Sequence, residues 1–351
     1  VQPHQKNGVF YSYPVWKSIT DEISYKAGFY GQLKVYPVSR LTITAGVRAD
    51  YFDYIKKSAI DPRLGFSWNF MKDMKFNLAV AQQSQSPAYV SITANPENND
   101  LSYKRTQQIV AGVERLFRED MKGTLEVFYK DYRNVPIPVS WKTPDPFDRA
   151  EGRLISEGRG YSKGIELFLQ KKMSRRYFFT ISYAYSVSKG FDPRYDKYYN
   201  WDYDYRHIFT FINGIRFDLQ HKKWYRNMAE KTWYKIMGWA LPFADQVVIS
   251  TRWRFLGGRP YTAETYYSNL HYWVVEETQL ENTRRFPAYH RLDFRLDRRF
   301  MYHNLTLVTY FDIMNIYGRD NIWAYSYKSD GSVEEVLQWQ VFPVGGLAIE
   351  F

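Results

Sequence analysis

The chain has no cysteine. That excludes a disulfide scaffold, thiol catalysis and any cysteine-ligated zinc site. It also lacks a run of about 18 apolar residues, so no transmembrane helix is encoded. The opening Val1-Gln2-Pro3-His4-Gln5-Lys6 has neither initiator methionine nor a basic segment followed by an apolar core. The expectation is that a leader was removed or that the natural start lies elsewhere. Histidines are few, and His4, His207, His221, His271, His290 and His303 form no metal-ligand spacing. The basic residues are not gathered in one block, although Lys and Arg number 48 against 37 Asp and Glu, a net charge of +11. Nucleic-acid binding needs a concentrated basic face, so it is not expected. Dispersed cations suit rims that meet the phosphorylated head groups of outer-membrane lipid and lipopolysaccharide.

Aromatic residues are abundant: 19% of the chain, with 32 tyrosines. The mean hydropathy of −0.53 is that of a soluble protein. A transmembrane β-barrel gives the same average, because every second residue of each strand is polar. Period-two alternation is the dominant pattern. Phe179, Ile181, Tyr183, Tyr185 and Val187 alternate with Thr180, Ser182, Ala184 and Ser186; Ile165, Leu167 and Leu169 alternate with Glu166, Phe168 and Gln170. A strand puts each set on one face, whereas a helix scatters both. The pattern predicts an all-β, antiparallel transmembrane barrel wall with about thirteen strands in this chain. They lie near 25–36, 40–54, 60–70, 74–85, 105–117, 121–134, 162–172, 175–188, 205–218, 245–256, 288–300, 303–316 and 343–351.

The connections sort into two kinds. Short turns fall at Pro37-Val38-Ser39, Met71-Lys72-Asp73, Arg118-Glu119-Asp120, Met173-Ser174 and Tyr302-His303. Long polar, aromatic loops fall at 86–104, 135–161, 189–204, 257–287 and 317–342. Barrels of the outer membrane keep short turns in the periplasm and long loops outside the cell. One connection, 219–244, is long on the short-turn side. Its Tyr225, Met228, Thr232, Ile236 and Trp239 share a helical face, which predicts a basic, Trp-rich interfacial helix at the inner rim. Within 317–342, Asn321–Tyr327 reads as a strand returning through Asp330-Gly331 as a hairpin.

Several segments, in order, resemble the C-terminal half of TonB-dependent outer-membrane receptors, especially those of Bacteroidota. They are Leu41-Thr42-Ile43-Thr44-Ala45-Gly46-Val47-Arg48-Ala49-Asp50-Tyr51-Phe52, Asp61-Pro62-Arg63-Leu64-Gly65-Phe66-Ser67, Gly158–Leu167 with its Gly164-Ile165-Glu166-Leu167 end, Tyr205-Arg206-His207, Gly257-Gly258-Arg259-Pro260-Tyr261-Thr262, Tyr289–Arg295 with Asp312–Tyr317, and Gly346-Leu347-Ala348-Ile349-Glu350-Phe351. The resemblance implies a Gram-negative outer-membrane importer, a barrel of about 22 strands around an N-terminal plug, energised through TonB. Residues 1–351 are then expected to be the C-terminal part of that barrel, with the plug and the remaining strands outside this sequence. An alternative is a self-contained barrel of about 14 strands that uses residues 5–16, acting as a passive channel or as a structural subunit of an envelope complex. A surface lipoprotein or other envelope subunits are further expected partners. The terminal Phe351 is, by resemblance, what the barrel-assembly machinery recognises.

The strand parity predicts lumen- or plug-facing charges at Arg48, Asp50, Glu114, Glu126, Lys130, Glu166, Arg252, Arg254, Arg291, Asp293, Arg295 and Asp297. The alternating Arg291-Asp293-Arg295-Asp297 row suits pairing along and across strands. A wide wet lumen gives no desolvation to tune a catalytic carboxylate pair, so no enzyme and no cofactor are expected. Two aromatic loop clusters are candidates for substrate contact: Tyr195, Tyr198, Tyr199, Trp201 and Tyr203, and Tyr261, Tyr266, Tyr267, Tyr272 and Trp273. Tyrosine and tryptophan offer large rigid contact area with a polar handle, which suits sugars, peptides or planar chelates. Aromatic girdle and loop-on-loop packing is the competing role.

Overall fold

A computed structural model describes residues 4–6, 9–11, 23–143, 152–275 and 280–351, apart from the side chains of 4–6, 9–11 and Trp239. Thirteen strands form one meander: β1 Lys26–Val38, β2 Leu41–Phe52, β3 Lys57–Trp68, β4 Met74–Gln85, β5 Lys104–Arg118, β6 Met121–Pro138, β7 Leu154–Lys171, β8 Tyr177–Asp192, β9 His207–Asp218, β10 Gln246–Leu256, β11 Tyr289–Met301, β12 Thr306–Met314 and β13 Phe342–Glu350. Each pairs antiparallel with its neighbours in sequence, so the wall runs from β1 to β13 without a crossover. Among the described residues, β1 and β13 each keep one edge unpaired. Residues His4–Lys6 and Val9–Tyr11 pair with each other as a separate hairpin and do not join the wall. Residues 12–16 of the alternative fourteenth strand lie outside the described residues.

The register explains the two faces. Leu41, Trp68, Phe76, Val113, Leu125, Leu167, Tyr183, Phe209 and Phe255 stand directly opposite one another from β2 to β10. The row one residue along begins Thr42, Ser67, Asn77, Gly112, Glu126, Glu166. A one-residue slip would exchange the two rows, so the alternation fixes the pairing. The apolar face leaves Leu33, Val47, Leu64, Val80, Ile109, Val127 and Ile165 exposed. So broad an uncovered apolar surface calls for a covering phase. No described helix is long and apolar enough to cross a membrane.

The loop end departs from the sequence expectation in two ways. Strands β6 and β7 continue pairing through bulges as far as Pro138 and Leu154, so both ends of 135–161 are ladder rather than loop. Strand β8 likewise continues to Asp192 and pairs with Lys197–Asn200 as a hairpin. The β2–β3 connection is only a tight turn, with Lys56 at φ 51°. Its Ile55 packs with Phe52, Ala59, Ile92 and Tyr103 in a small core beneath helix α1, Tyr89–Thr93. Ile322–Tyr327 does pair with Val333–Leu337 as the expected hairpin.

The 219–244 connection holds two helices, α2 Lys223–Ala229 and α3 Thr232–Met237, in place of one. Lys231 is extended between them. That break rotates the second helix, so Tyr225 and Tyr234 are buried while Ile236 is exposed.

Candidate functional site at the loop end and polar wall

Neighbouring strands bring charged residues together on the polar face. The register carries Arg48 and Asp50 on β2, Glu114 on β5, Glu126 and Lys130 on β6, Glu166 on β7, Arg252 and Arg254 on β10, and Arg291, Asp293, Arg295 and Asp297 on β11 to that one side. Pairing along a strand recurs, because residues two apart lie on one face within reach of an arginine. The Arg48 Nε to Asp50 Oδ2 separation is 2.7 Å, and that of Arg295 Nη2 and Asp297 Oδ1 is 2.6 Å. Pairing across strands adds Arg252, whose Nη2 lies 2.9 Å from Asp293 Oδ2.

Asp293 is the centre of the densest cluster. It is buried, with Arg291 Nε 2.7 Å away and Arg254 Nη2 at 3.7 Å. The Asn315 backbone N–H donates to its Oδ1 at 3.0 Å. One carboxylate therefore serves three guanidiniums, and the patch keeps a surplus of positive charge. The opposite sign accumulates around β5–β7. Glu126 and Glu166 stand directly opposite each other. Glu114 lies 4.0 Å from Lys75 and 3.8 Å from Lys122. These separations are those of exposed, weak ion pairs.

At the loop end, the first aromatic cluster divides. Trp201 lies over Gly160 and Gly190, where an added Cβ would come within 2.4 Å and 2.2 Å of its ring. Its ring meets Tyr132 edge-on at 4.9 Å. Tyr199 packs on Trp141 at 6.0 Å, and its hydroxyl pKa is pushed up to about 12 by burial and by Glu281. Tyr195 is half-buried, whereas Tyr198 is exposed and Tyr203 is 76% exposed. In the second cluster, Tyr261 packs between Phe286 (4.5 Å) and Tyr325 (5.4 Å). The Tyr266 hydroxyl donates to Ser329 O at 2.7 Å, and Trp273 Nε1 donates to Lys328 O at 2.7 Å. Tyr267 and Tyr272 stack at 6.1 Å, with Tyr267 exposed. The geometry thus binds Trp201, Tyr199, Tyr261, Tyr266 and Trp273 into loop packing; Tyr198 packs on Tyr161 and Phe191 at 5.4 Å each while keeping an exposed edge, and Tyr203 and Tyr267 are exposed.

Buried polar residues that the aromatic reading did not single out hold these loops. Asp204 is 1% exposed; its carboxylate accepts from Ser188 N–H at 2.8 Å and lies 2.9 Å from Arg206 Nε and 2.5 Å from Arg285 Nη2. Asn282 donates through Nδ2 to Asn200 O at 2.9 Å and to Asp202 Oδ1 at 2.7 Å. Asn98, fully buried, donates to Ser91 O and Gly152 O and accepts from Leu154 N–H. Their sequence signal is weak, since an Asp or Asn in a polar loop usually faces water. No group of residues fit to hold a metal ion occurs among the described residues.

Thirteen meandering strands, an uncovered apolar face and a charged inner face match a known family. The model described as TonB dependent receptor-like, beta-barrel, covers residues 3–316. The chain belongs to that family. Barrels of this family lie in the outer membrane of Gram-negative bacteria, which supplies lipid for the apolar face and makes the polar face the lumen side. No curated protein matches the sequence. Among solved structures, it is similar to Pseudomonas aeruginosa FpvA bound to heterologous pyoverdines, at 11% identity and a TM-score of 0.63, covering 93% of this chain and 38% of that one. It is similar to the FrpB iron transporter from Neisseria meningitidis, at 13% identity and a TM-score of 0.59, covering 93% and 45%. The ferric yersiniabactin uptake receptor FyuA from Yersinia pestis gives 12% identity, a TM-score of 0.59, and 93% and 45%. The chain spans less than half the length of these solved structures.

Proposed function

We propose that this chain is the C-terminal part of the barrel of a TonB-dependent active importer, taking up a large or scarce nutrient. The observation that carries this reading is that, among the described residues, both edges of a thirteen-strand wall are unpaired. Free wall edges in lipid leave backbone groups unsatisfied, which supports completion of the barrel by further strands. Thirteen strands are about three-fifths of a wall of about 22. In this reading a plug domain of the same polypeptide packs on the polar face. Its acidic groups meet the arginine-rich patch around Asp293, and its basic groups meet Glu114, Glu126 and Glu166. The exposure of Tyr198, Tyr203 and Tyr267 supports their contact with a substrate arriving from outside, with the packed aromatics shaping the mouth. The order of motifs supports a Bacteroidota-like source, and a surface lipoprotein is a fitting partner for loops of this size. The test is uptake by cells carrying or lacking the receptor. Active import predicts accumulation that disappears with an uncoupler or without TonB. Uncoupler-insensitive flux overturns it in favour of a passive channel.

A further inference from the structure

The 219–245 connection lies on the outside of the wall, and its position there has a direct physical cause. By register, Val247, Leu296, Phe300 and Leu307 belong to the apolar, lipid-side face. Side chains at such positions elsewhere in the wall are exposed or half-buried, yet Val247 is 5% and Phe300 9% exposed. They are buried with Ala244, against Leu219, Leu296 and Leu307. What covers them is the connection itself, folded outward over the rim. Arg298, which the register also turns to the apolar side, donates to the Leu241 carbonyl of the same connection. Asp245 fastens its end, accepting from Met301 N–H at 2.6 Å.

The inner side of this cover is braced. Tyr234 donates from its hydroxyl to Phe243 O at 3.0 Å, and its ring meets Tyr225 edge-on at 6.0 Å. The outer side is not covered. Trp224 and Trp233 are each 50% exposed, and Ile236 and Met237 are exposed beside them. Lys223, Arg226 and Lys235 on these helices and Lys231 between them are exposed, against one acid, Glu230.

We propose that α2 and α3 form a membrane foot: they lie in the plane of the periplasmic leaflet and hold anionic phospholipid. The occupant follows from continuity and charge. The foot extends a surface that is already lipid-facing, so its tryptophans sit at head-group depth, where an apolar ring with a polar N–H is stable. Its cations then meet phosphates, each drawing anionic lipid to the surface. A protein partner would have no such reason to combine lipid-side placement with a basic rim. The proposal rests on the outer-membrane placement and not on active import.

The chain has no cysteine, so single introduced thiols report locally. Spin labels are placed at Ile236→Cys, Leu64→Cys on the lipid side of the wall and Tyr203→Cys in a loop. They are carried in the intact polypeptide that contains this sequence, with any other cysteine replaced by serine. Collision with oxygen is compared with collision with a water-soluble nickel chelate, in nanodiscs of equal parts phosphatidylglycerol and phosphatidylcholine. The expected result is that position 236 behaves like 64, favouring oxygen. Behaviour like 203 overturns the foot. Shielding of position 236 from both reagents in native outer-membrane fragments also overturns it, pointing to a protein occupant. Neutralising Lys223→Gln, Arg226→Gln and Lys235→Gln together should lower the phosphatidylglycerol enrichment around the protein severalfold. Unchanged enrichment overturns the anionic preference.

Discussion

Trp201 shows how a residue chosen for its chemistry can be used for its shape. Its ring fills the space that two glycines leave on adjacent strands, and its backbone N–H donates to Ser188 O at 3.1 Å. Gly190→Ala places a Cβ 2.2 Å from the indole nitrogen and 2.8 Å from the Tyr199 ring. Overpacking of this kind costs about 1–3 kcal/mol. The expected outcome is faster hydrogen exchange at the Trp201 amide with the wall ladder unchanged; equal exchange would count against the packing role. Asp204→Asn keeps an oxygen for Ser188 but removes both arginine pairs. Losing these partly exposed charged partners should weaken the docking of 193–206 by about 1–3 kcal/mol, read as faster proteolysis within that loop. Glu281 supplies a pH dependence. Burial holds its carboxyl above the ordinary 4.5, outweighing the attraction of Arg194, with Asp192 and Asp202 adding repulsion. A raised carboxyl pKa favours the protonated form in the folded loop, so this stabilisation is complete below pH 4.5 and is lost as pH rises through the raised value. Loop opening followed by hydrogen exchange should increase over that window, and Glu281→Gln should flatten the profile.

The elements divide by how strongly the sequence specifies them. Strands such as β4 and β8 combine strict alternation with β-branched and aromatic residues, so their pairing follows from the pattern. The 322–337 hairpin is different: it is joined to the 257–287 loop by a few side chains. Trp273 contributes its N–H bond to Lys328 O and a ring contact to Tyr327 at 4.6 Å. Trp273→Ala should release the hairpin, visible as added mobility in 322–337, while β11 and β12 keep their protection. Loss of protection in β12 would mean that the hairpin braces the wall as well. Helices α2 and α3 are less strongly specified by the local sequence. A helical period ran through 222–237, but the bend at Lys231 depends on Tyr225 and Tyr234 finding each other, which one helix cannot arrange.

At the scale of the molecule, the polar face has an arginine-rich side and a glutamate side, separated by uncharged positions such as Ser182 and Thr210 on β8 and β9. Opposite signs along the wall suit a partner with the complementary pattern, as a plug would have. The last strand β13 presents Leu347 and Ile349 to the lipid side, and Phe351 follows it, fully exposed. Deleting Phe351 should impair membrane insertion while leaving synthesis intact, measured as loss of the heat-modifiable barrel band. Normal insertion would remove Phe351 from any assembly role.

The sequence by itself determined the wall: which thirteen segments are strands, which face of each meets lipid, and that twelve named charges share the other face. Alternation carries this information locally, one residue at a time. It did not reach the loops, where strand pairing beyond the expected limits depends on contacts between segments far apart in the chain. Asn98, Asp204 and Asn282 look like solvated loop residues until their partners arrive from other loops. Only the tertiary structure decided which aromatics are committed to packing and which face outward. It alone placed the 219–245 connection outside the wall, because a helical pattern specifies a buried face but not the surface that buries it.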